Sequence, residues 1–230
     1  MPYSDDDIDI PVWQLSLWAC IGMVLLSVLL VLPWRWMPPP TTAFMLAELF
    51  EADRKPAYAW VDWDNIPPHL AMAVIAAEDQ KFPEHYGFDL ESIQDAMERP
   101  AETRRGASTI TQQVAKNLFL WSGRSYLRKG IEAWFALLIE TMWSKQRILE
   151  VYLNIVEFGP GIYGVGAASV ALGHNSPAQL TQYDCADLAA VLPSPKRMSI
   201  TNPSPYVNKR AGEINRQVQR LGGTGFLARL

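Results

Sequence analysis

Glu78 and Asp79 close an apolar run, Leu70 to Ala77, where a pair of carboxylates is out of place. At helical spacing Leu70, Val74 and Ile75 share a face with Glu78, so its carboxylate continues an apolar stripe. Burial disfavours the charged form and raises a carboxyl pKa, which makes a proton acceptor usable near neutral pH. A solvated helix end is the other reading of the pair. Against it, acidic groups at a helix C-terminus oppose the helix dipole.

A second stretch, RRGASTITQQVAKNLFL from Arg104 to Leu120, offers cations and amides. Thr109 with Gln112 fits a capping box, so a helix starts there. Ile110, Val114 and Leu118 form its buried side, and Gln112, Gln113 and Lys116 lie together on another. Arg104, Arg105 and Gly106 come just before the helix N-terminus, where free N–H groups favour an anion. The phosphate-loop pattern GxxxxGK[ST] is absent. In a third stretch, SGRSYLRKGIEAW, Arg128 and Lys129 share a helical face with Glu132. Taken singly, the second stretch reads equally well as a capped surface helix, and the third reads better as surface ion pairs of little worth. Their company changes that. Arg105, Lys116, Arg124, Arg128 and Lys129 are concentrated between the two acidic positions, in a chain whose net charge is −4. A basic cluster with embedded carboxylates suits a pyrophosphate that leaves as charge develops on it.

These residues need elements to hold them. The chain has 230 residues, enough for one ordinary domain. Val12 to Leu32 carries no charge and is long enough to cross a bilayer as a helix. Trp13, Trp18, Trp34 and Trp36 flank it like interfacial belts. A cleaved signal peptide would want a basic start and a small-residue cleavage site, whereas MPYSDDDIDI precedes and PWRWMPPP follows. An uncleaved anchor is therefore expected. Thr42 to Glu51 reads as a short helix and Arg54 to Asn65 as an extended stretch. From Pro67-Pro68 onward the pattern is helical. A long helix from about Ser125 carries a core-facing stripe of Ile131, Trp134, Phe135, Leu138, Ile139 and Met142, and Ile148, Leu149, Tyr152 and Leu153 continue in the next helix. The expected fold is mainly α. Cys20 and Cys185 cannot meet, no histidine has a partner at metal-ligand spacing, and the acidic balance excludes a generally basic nucleic-acid binder. Arg35, Arg54 and Lys55 follow the span, and the positive-inside rule applied to them would leave the C-terminal side in the cytoplasm.

Five motifs occur in order: EDxxFxxHxGFD from Glu78, GASTITQQ from Gly106, RKxxE from Arg128, KxRILExYLN from Lys145 and GIYGVGAAS from Gly161. Together, over about Trp60 to Ser199, they resemble the monofunctional biosynthetic peptidoglycan glycosyltransferases. The resemblance implies a lysozyme-like helical domain that polymerises lipid II, with one transmembrane helix before it. It divides the chain into a cytoplasmic tail (1–11), membrane helix (12–32), linker (33–55) and glycosyltransferase domain (56–230). Glu78 looks like the general base and Glu132 like the second acidic residue, supporting the leaving pyrophosphate directly or through Mg or Mn. Asp79, Arg105, Ser108, Gln112, Gln113, Lys116, Asn117, Arg124, Arg128 and Lys129 would bind substrate. Neither a nucleotide nor an organic cofactor is implied. The partners implied are lipid II, the nascent glycan, the membrane and other cell-wall synthesis or division proteins, with no nucleic acid. The family places its catalytic domain on the periplasmic side of the inner membrane, against the charge bias above. Two departures from its pattern stand out: Gly166 replaces a usual acidic residue, and Ala171-Leu172 a usual aromatic pair.

Two other functions fit parts of the pattern. Two carboxylates flanking a sugar site also suit a lytic, lysozyme-like hydrolase, although a neutral glycan gives the cationic cluster nothing to bind. A single-pass scaffold would use the amphipathic helices for partner proteins. Complete motifs would then be relics, and no SxxK exists to suggest a transpeptidase.

Overall fold

The computed structural model describes residues 11–51, 55–98, 108–123 and 125–230. It divides into two units, Met1–Met37 and Pro38–Leu230. In the first, helix α1 (Val12–Val31) runs into a 3-10 turn, Leu32–Arg35. Within the 24 residues from Val12 to Arg35, an 18-residue window reaches a mean hydropathy of 2.6. At about 1.5 Å per residue that length spans a bilayer core. Its two serines turn back on their own backbone: Ser16 Oγ donates to Val12 O at 3.0 Å and Ser27 Oγ to Val24 O at 2.8 Å. That is how hydroxyls are satisfied where water is absent.

The second unit is built from helices α2 (Ala43–Glu51), α3 (Pro68–Glu78), α4 (Leu90–Glu98), α5 (Ile110–Phe119), α6 (Tyr126–Met142), α7 (Lys145–Ile155), α8 (Gly164–Ala171), α9 (Gln182–Val191) and α10 (Pro205–Arg220). A small sheet of order β1-β3-β2 joins them: β1 (Ala57–Tyr58) lies parallel to β3 (Ile162–Tyr163), and β2 (Glu157–Gly159) antiparallel to it. Since this unit starts at Pro38, helix α2 and the residues before it, expected as linker, fall within its bounds. The stretch expected to be extended contains β1 and a 3-10 turn, Trp63–Asn65, while Arg54 lies outside the described residues.

Helix α3 is the hub. Pro68 opens it, and every residue from Leu70 to Ala76 is buried, packed against α9 and α10. Each fully buried aliphatic side chain contributes about 1.5–3 kcal/mol. Helix α5 packs between α6 and α7, and α7 is buried from Ile148 to Ile155. The polar residues of α7 are braces. Asn154 accepts from Val61 N and donates to Val61 O, both at 2.8 Å, and Glu150 accepts from Trp63 N at 2.8 Å.

On α6 the buried face is rotated from the expected stripe. Glu132, Phe135, Ala136 and Ile139 are buried, whereas Trp134 is 38% exposed. Phe135 stacks on Phe119 of α5 with ring centroids 4.7 Å apart, which turns Glu132 inward.

The GIYGVGAAS turn packs closely. Gly164 has φ +75°, and a Cβ there would meet Asn154 O at 2.1 Å. At Gly166 a Cβ would meet Ala59 O at 2.3 Å, so the acidic residue usual in the resembled family has no room here.

Candidate active site

Glu78 is the last residue of α3, and its side chain is 15% exposed. Gln113 Nε2 donates to Glu78 Oε2 at 2.9 Å, and Tyr152 Oη donates to Gln113 Oε1 at 3.0 Å. Arg210 Nη2, from α10, stands 3.8 Å from Glu78 Oε1. Burial pushes the Glu78 carboxyl above the usual glutamate range, with a smaller push from Asp79; the Gln113 bond and the charges of Arg210 and Lys116 offset only part of it. A carboxyl shifted in that direction is a stronger proton acceptor than an ordinary glutamate.

Lys116 follows Gln113 on α5 by three residues, with Nζ 5.4 Å from the centroid of the Phe44 ring. Burial holds its ammonium below the usual lysine range; Glu132 and Glu78 pull it up, while Arg128 and Lys129 push it down. No hydrogen bond from the described residues reaches Nζ, so its donors are open to a ligand.

Glu132 is 2% exposed, projecting inward from α6. Ser125 caps that helix by accepting from Arg128 N, which sets the first turn. Arg128 Nη1 donates to Glu132 Oε2 at 2.6 Å, and Lys129 Nζ pairs with Oε1. Lys129 Nζ also donates to Ser108 Oγ at 3.3 Å. Lys129 is 46% exposed, so the cluster opens to solvent on that side. One carboxylate organises two cations that together carry more charge than it cancels.

Several residues expected at the substrate are buried or make structural hydrogen bonds. Asp79 accepts from Ile110 N at 2.9 Å and meets His85 Nε2 at 2.9 and 3.0 Å, which ties the end of α3 to the start of α5. Gln112 is 4% exposed and completes the capping box with Thr109, so it does not share the open side of Gln113 and Lys116. Asn117 is 7% exposed on α5. Arg105 and Arg124 lie outside the described residues.

A divalent cation at Glu132 does not fit the donor set. Both carboxylate oxygens hold protein cations, and the described residues contain no group of three His, Cys, Asp or Glu that could share an ion. A divalent cation there would have to displace Arg128 or Lys129 from Glu132 and take its other ligands from water and substrate phosphate oxygens.

Tyr152 and Arg210 touch the site and were not expected there. Tyr152 reads as a core position in the α7 stripe, yet a buried tyrosine needs a partner for its hydroxyl, and that was the available signal. Arg210 comes from a helix with no motif that points to it.

The model of the family described as "Transglycosylase" matches residues 45–219. The biosynthetic peptidoglycan transglycosylase of Pseudomonas fluorescens is 52% identical over 222 residues, covering 93% of this chain and 90% of that protein. The protein of that name from Stutzerimonas stutzeri is 50% identical over 224 residues (94% and 91%), and that from Xylella fastidiosa 46% over 225 (94% and 93%).

Proposed function

Because the chain belongs to the transglycosylase family, we propose that this peptidoglycan glycosyltransferase polymerises lipid II into linear β-1,4 glycan and releases undecaprenyl diphosphate. The observation that carries the proposal is the place of α5: Gln113 donates to Glu78 Oε2 at 2.9 Å, and Lys116, three residues on, is close enough to both Glu78 and Glu132 to feel their charges. A base and a polyanion site thus adjoin one another.

Glu78 takes the proton of the acceptor's GlcNAc 4-hydroxyl, and the freed oxygen pair forms a bond to the anomeric carbon of the donor's MurNAc. The bond from that carbon to the diphosphate oxygen breaks, and its electron pair leaves with the diphosphate. Attack from the face opposite the leaving group turns an α-linked donor into a β-linked product. Lys116, Arg128 and Lys129 meet the growing charge, joined by Arg105 and Arg124; Glu132 keeps Arg128 and Lys129 aligned.

The span from Val12 to Arg35 fits a single-pass anchor in the inner membrane, with residues from Pro38 onward in the periplasm beside a lipid-linked substrate. The nascent glycan and other cell-wall synthesis proteins are its partners there. The chemistry leaves stem peptides free.

Incubation of the purified full-length protein with labelled lipid II, followed by muramidase digestion and mass spectrometry, tests this. Uncrosslinked disaccharide-peptides are expected with or without a β-lactam. Cross-linked muropeptides, or clearing of finished cell-wall glycan in a turbidity assay, would contradict it.

A further inference from the structure

Glu78, Gln113 and Tyr152 form a chain of two hydrogen bonds across three helices, α3, α5 and α7. Tyr152 is fully buried. Its phenol has one hydrogen to give, and among the described residues one acceptor to receive it, Gln113 Oε1. A primary amide can present either its oxygen or its nitrogen to a neighbour. Turned the other way, the amide could still donate to the phenol oxygen, but the buried phenol hydrogen would then have no acceptor among the described residues, so the orientation with Nε2–H towards Glu78 is favoured.

We propose that Tyr152 is a positioning residue for the base: through Gln113 it keeps an N–H donor on Glu78 Oε2, so that Oε1 is the oxygen that takes the acceptor's proton. The proposal rests on Glu78 being that base. Oε1 is free for the task, because its nearest cation, Arg210 Nη2, is 3.8 Å away and beyond hydrogen-bond range. The charged and titratable groups facing Glu78 are Asp79 at the end of α3, Lys116 on α5, Arg210 on α10 and Tyr152 itself. Of these contacts only the Gln113 donation is a hydrogen bond to the carboxylate, and it favours the ionised form that can act as a base. Without the phenol, an amide turned the other way would put Oε1 against the carboxylate and favour its protonated form.

Tyr152→Phe separates this role from packing, since it deletes one oxygen and keeps the ring. In the full-length enzyme, the acidic limb of the pH profile of kcat/KM for lipid II should move upward. The expected shift is about half to one pH unit, the scale of one side-chain hydrogen bond. Rate well above the limb should recover, with KM little changed. Gln113→Met should move the limb in the same direction, and adding Tyr152→Phe to it should move it no further. An unmoved limb in either folded single variant, or a Tyr152→Phe shift that persists in full beside Gln113→Met, would overturn the proposal. Glu78→Gln run alongside keeps the two ideas apart. Wild-type turnover there removes the base, whereas its inactivity with an unmoved limb removes only the role of Tyr152.

Discussion

Arg128 Nη1 lies 2.6 Å from Glu132 Oε2, and the two side chains are 11% and 3% exposed. The pair is thus shielded from water, unlike the pair of Glu132 with half-exposed Lys129. Removing Arg128 strands most of a buried carboxylate, and removing Lys129 strands little. Arg128→Ala should therefore cost stability as well as donor use, about 1.5–3 kcal/mol for a hydrogen bond to a charged group. Thermal melting should show a drop of roughly 3–12 °C. Lys129→Ala should weaken donor use with a much smaller drop. Equal melting temperatures for the two variants would show that burial does not separate them.

Lys116 presents the opposite balance. Its folded-state pKa is depressed by burial, so its charge disfavours folding at neutral pH, and that penalty is relieved as pH rises through the depressed value. Lys116→Met should keep or raise the melting temperature near neutral pH while removing most polymerisation. A stability–function trade-off of this kind marks a cation held for a ligand. A variant that melts lower and still polymerises at the wild-type rate would make Lys116 a structural residue.

Asp79 should behave as a brace. Its carboxylate receives the first N–H of α5 and meets His85, so Asp79→Asn loses part of that anchorage. Turnover should fall together with thermal stability, and the KM for lipid II should change little. A large rise in KM at an unchanged melting temperature would return Asp79 to the substrate.

Glu78 has a folded pKa raised by burial, so the sign of its pH dependence follows. Stability from this group is present below the ordinary glutamate value and is lost as pH rises through the raised one. Glu78→Gln should thus melt higher than wild type at neutral pH. The gain should shrink as pH falls and vanish below about pH 4, where both states of the wild-type side chain become protonated. Thermal melts across that range check it, and an equal or lower melting temperature for the variant at neutral pH would contradict it.

Much of this was legible in the sequence. The apolar stripe ending at Glu78, the Thr109 capping box and the shared face of Arg128, Lys129 and Glu132 all follow from helical periodicity, which is a local property. What periodicity does not carry is which polar group turns inward. Asp79 and Gln112 look like site residues by type and neighbourhood, and the fold uses them to fasten α5. Trp134 belongs to the apolar stripe by spacing, but the stacking of Phe119 on Phe135 rotates α6 and leaves it 38% exposed. Tyr152, through Gln113, and Arg210 are brought to Glu78 from helices distant in the chain, so only tertiary packing places them there.

Glu78 as the base is the claim on which the rest depends, and Glu78→Gln tests it most directly. Glutamine keeps the size and much of the hydrogen bonding of the side chain while removing the proton acceptor. Polymerisation of labelled lipid II by the purified full-length variant should fall by about 10² to 10⁴. Lipid II binding, measured on the same preparation, should stay close to that of the wild type. Glycan produced by Glu78→Gln at the wild-type rate would remove Glu78 from the chemistry.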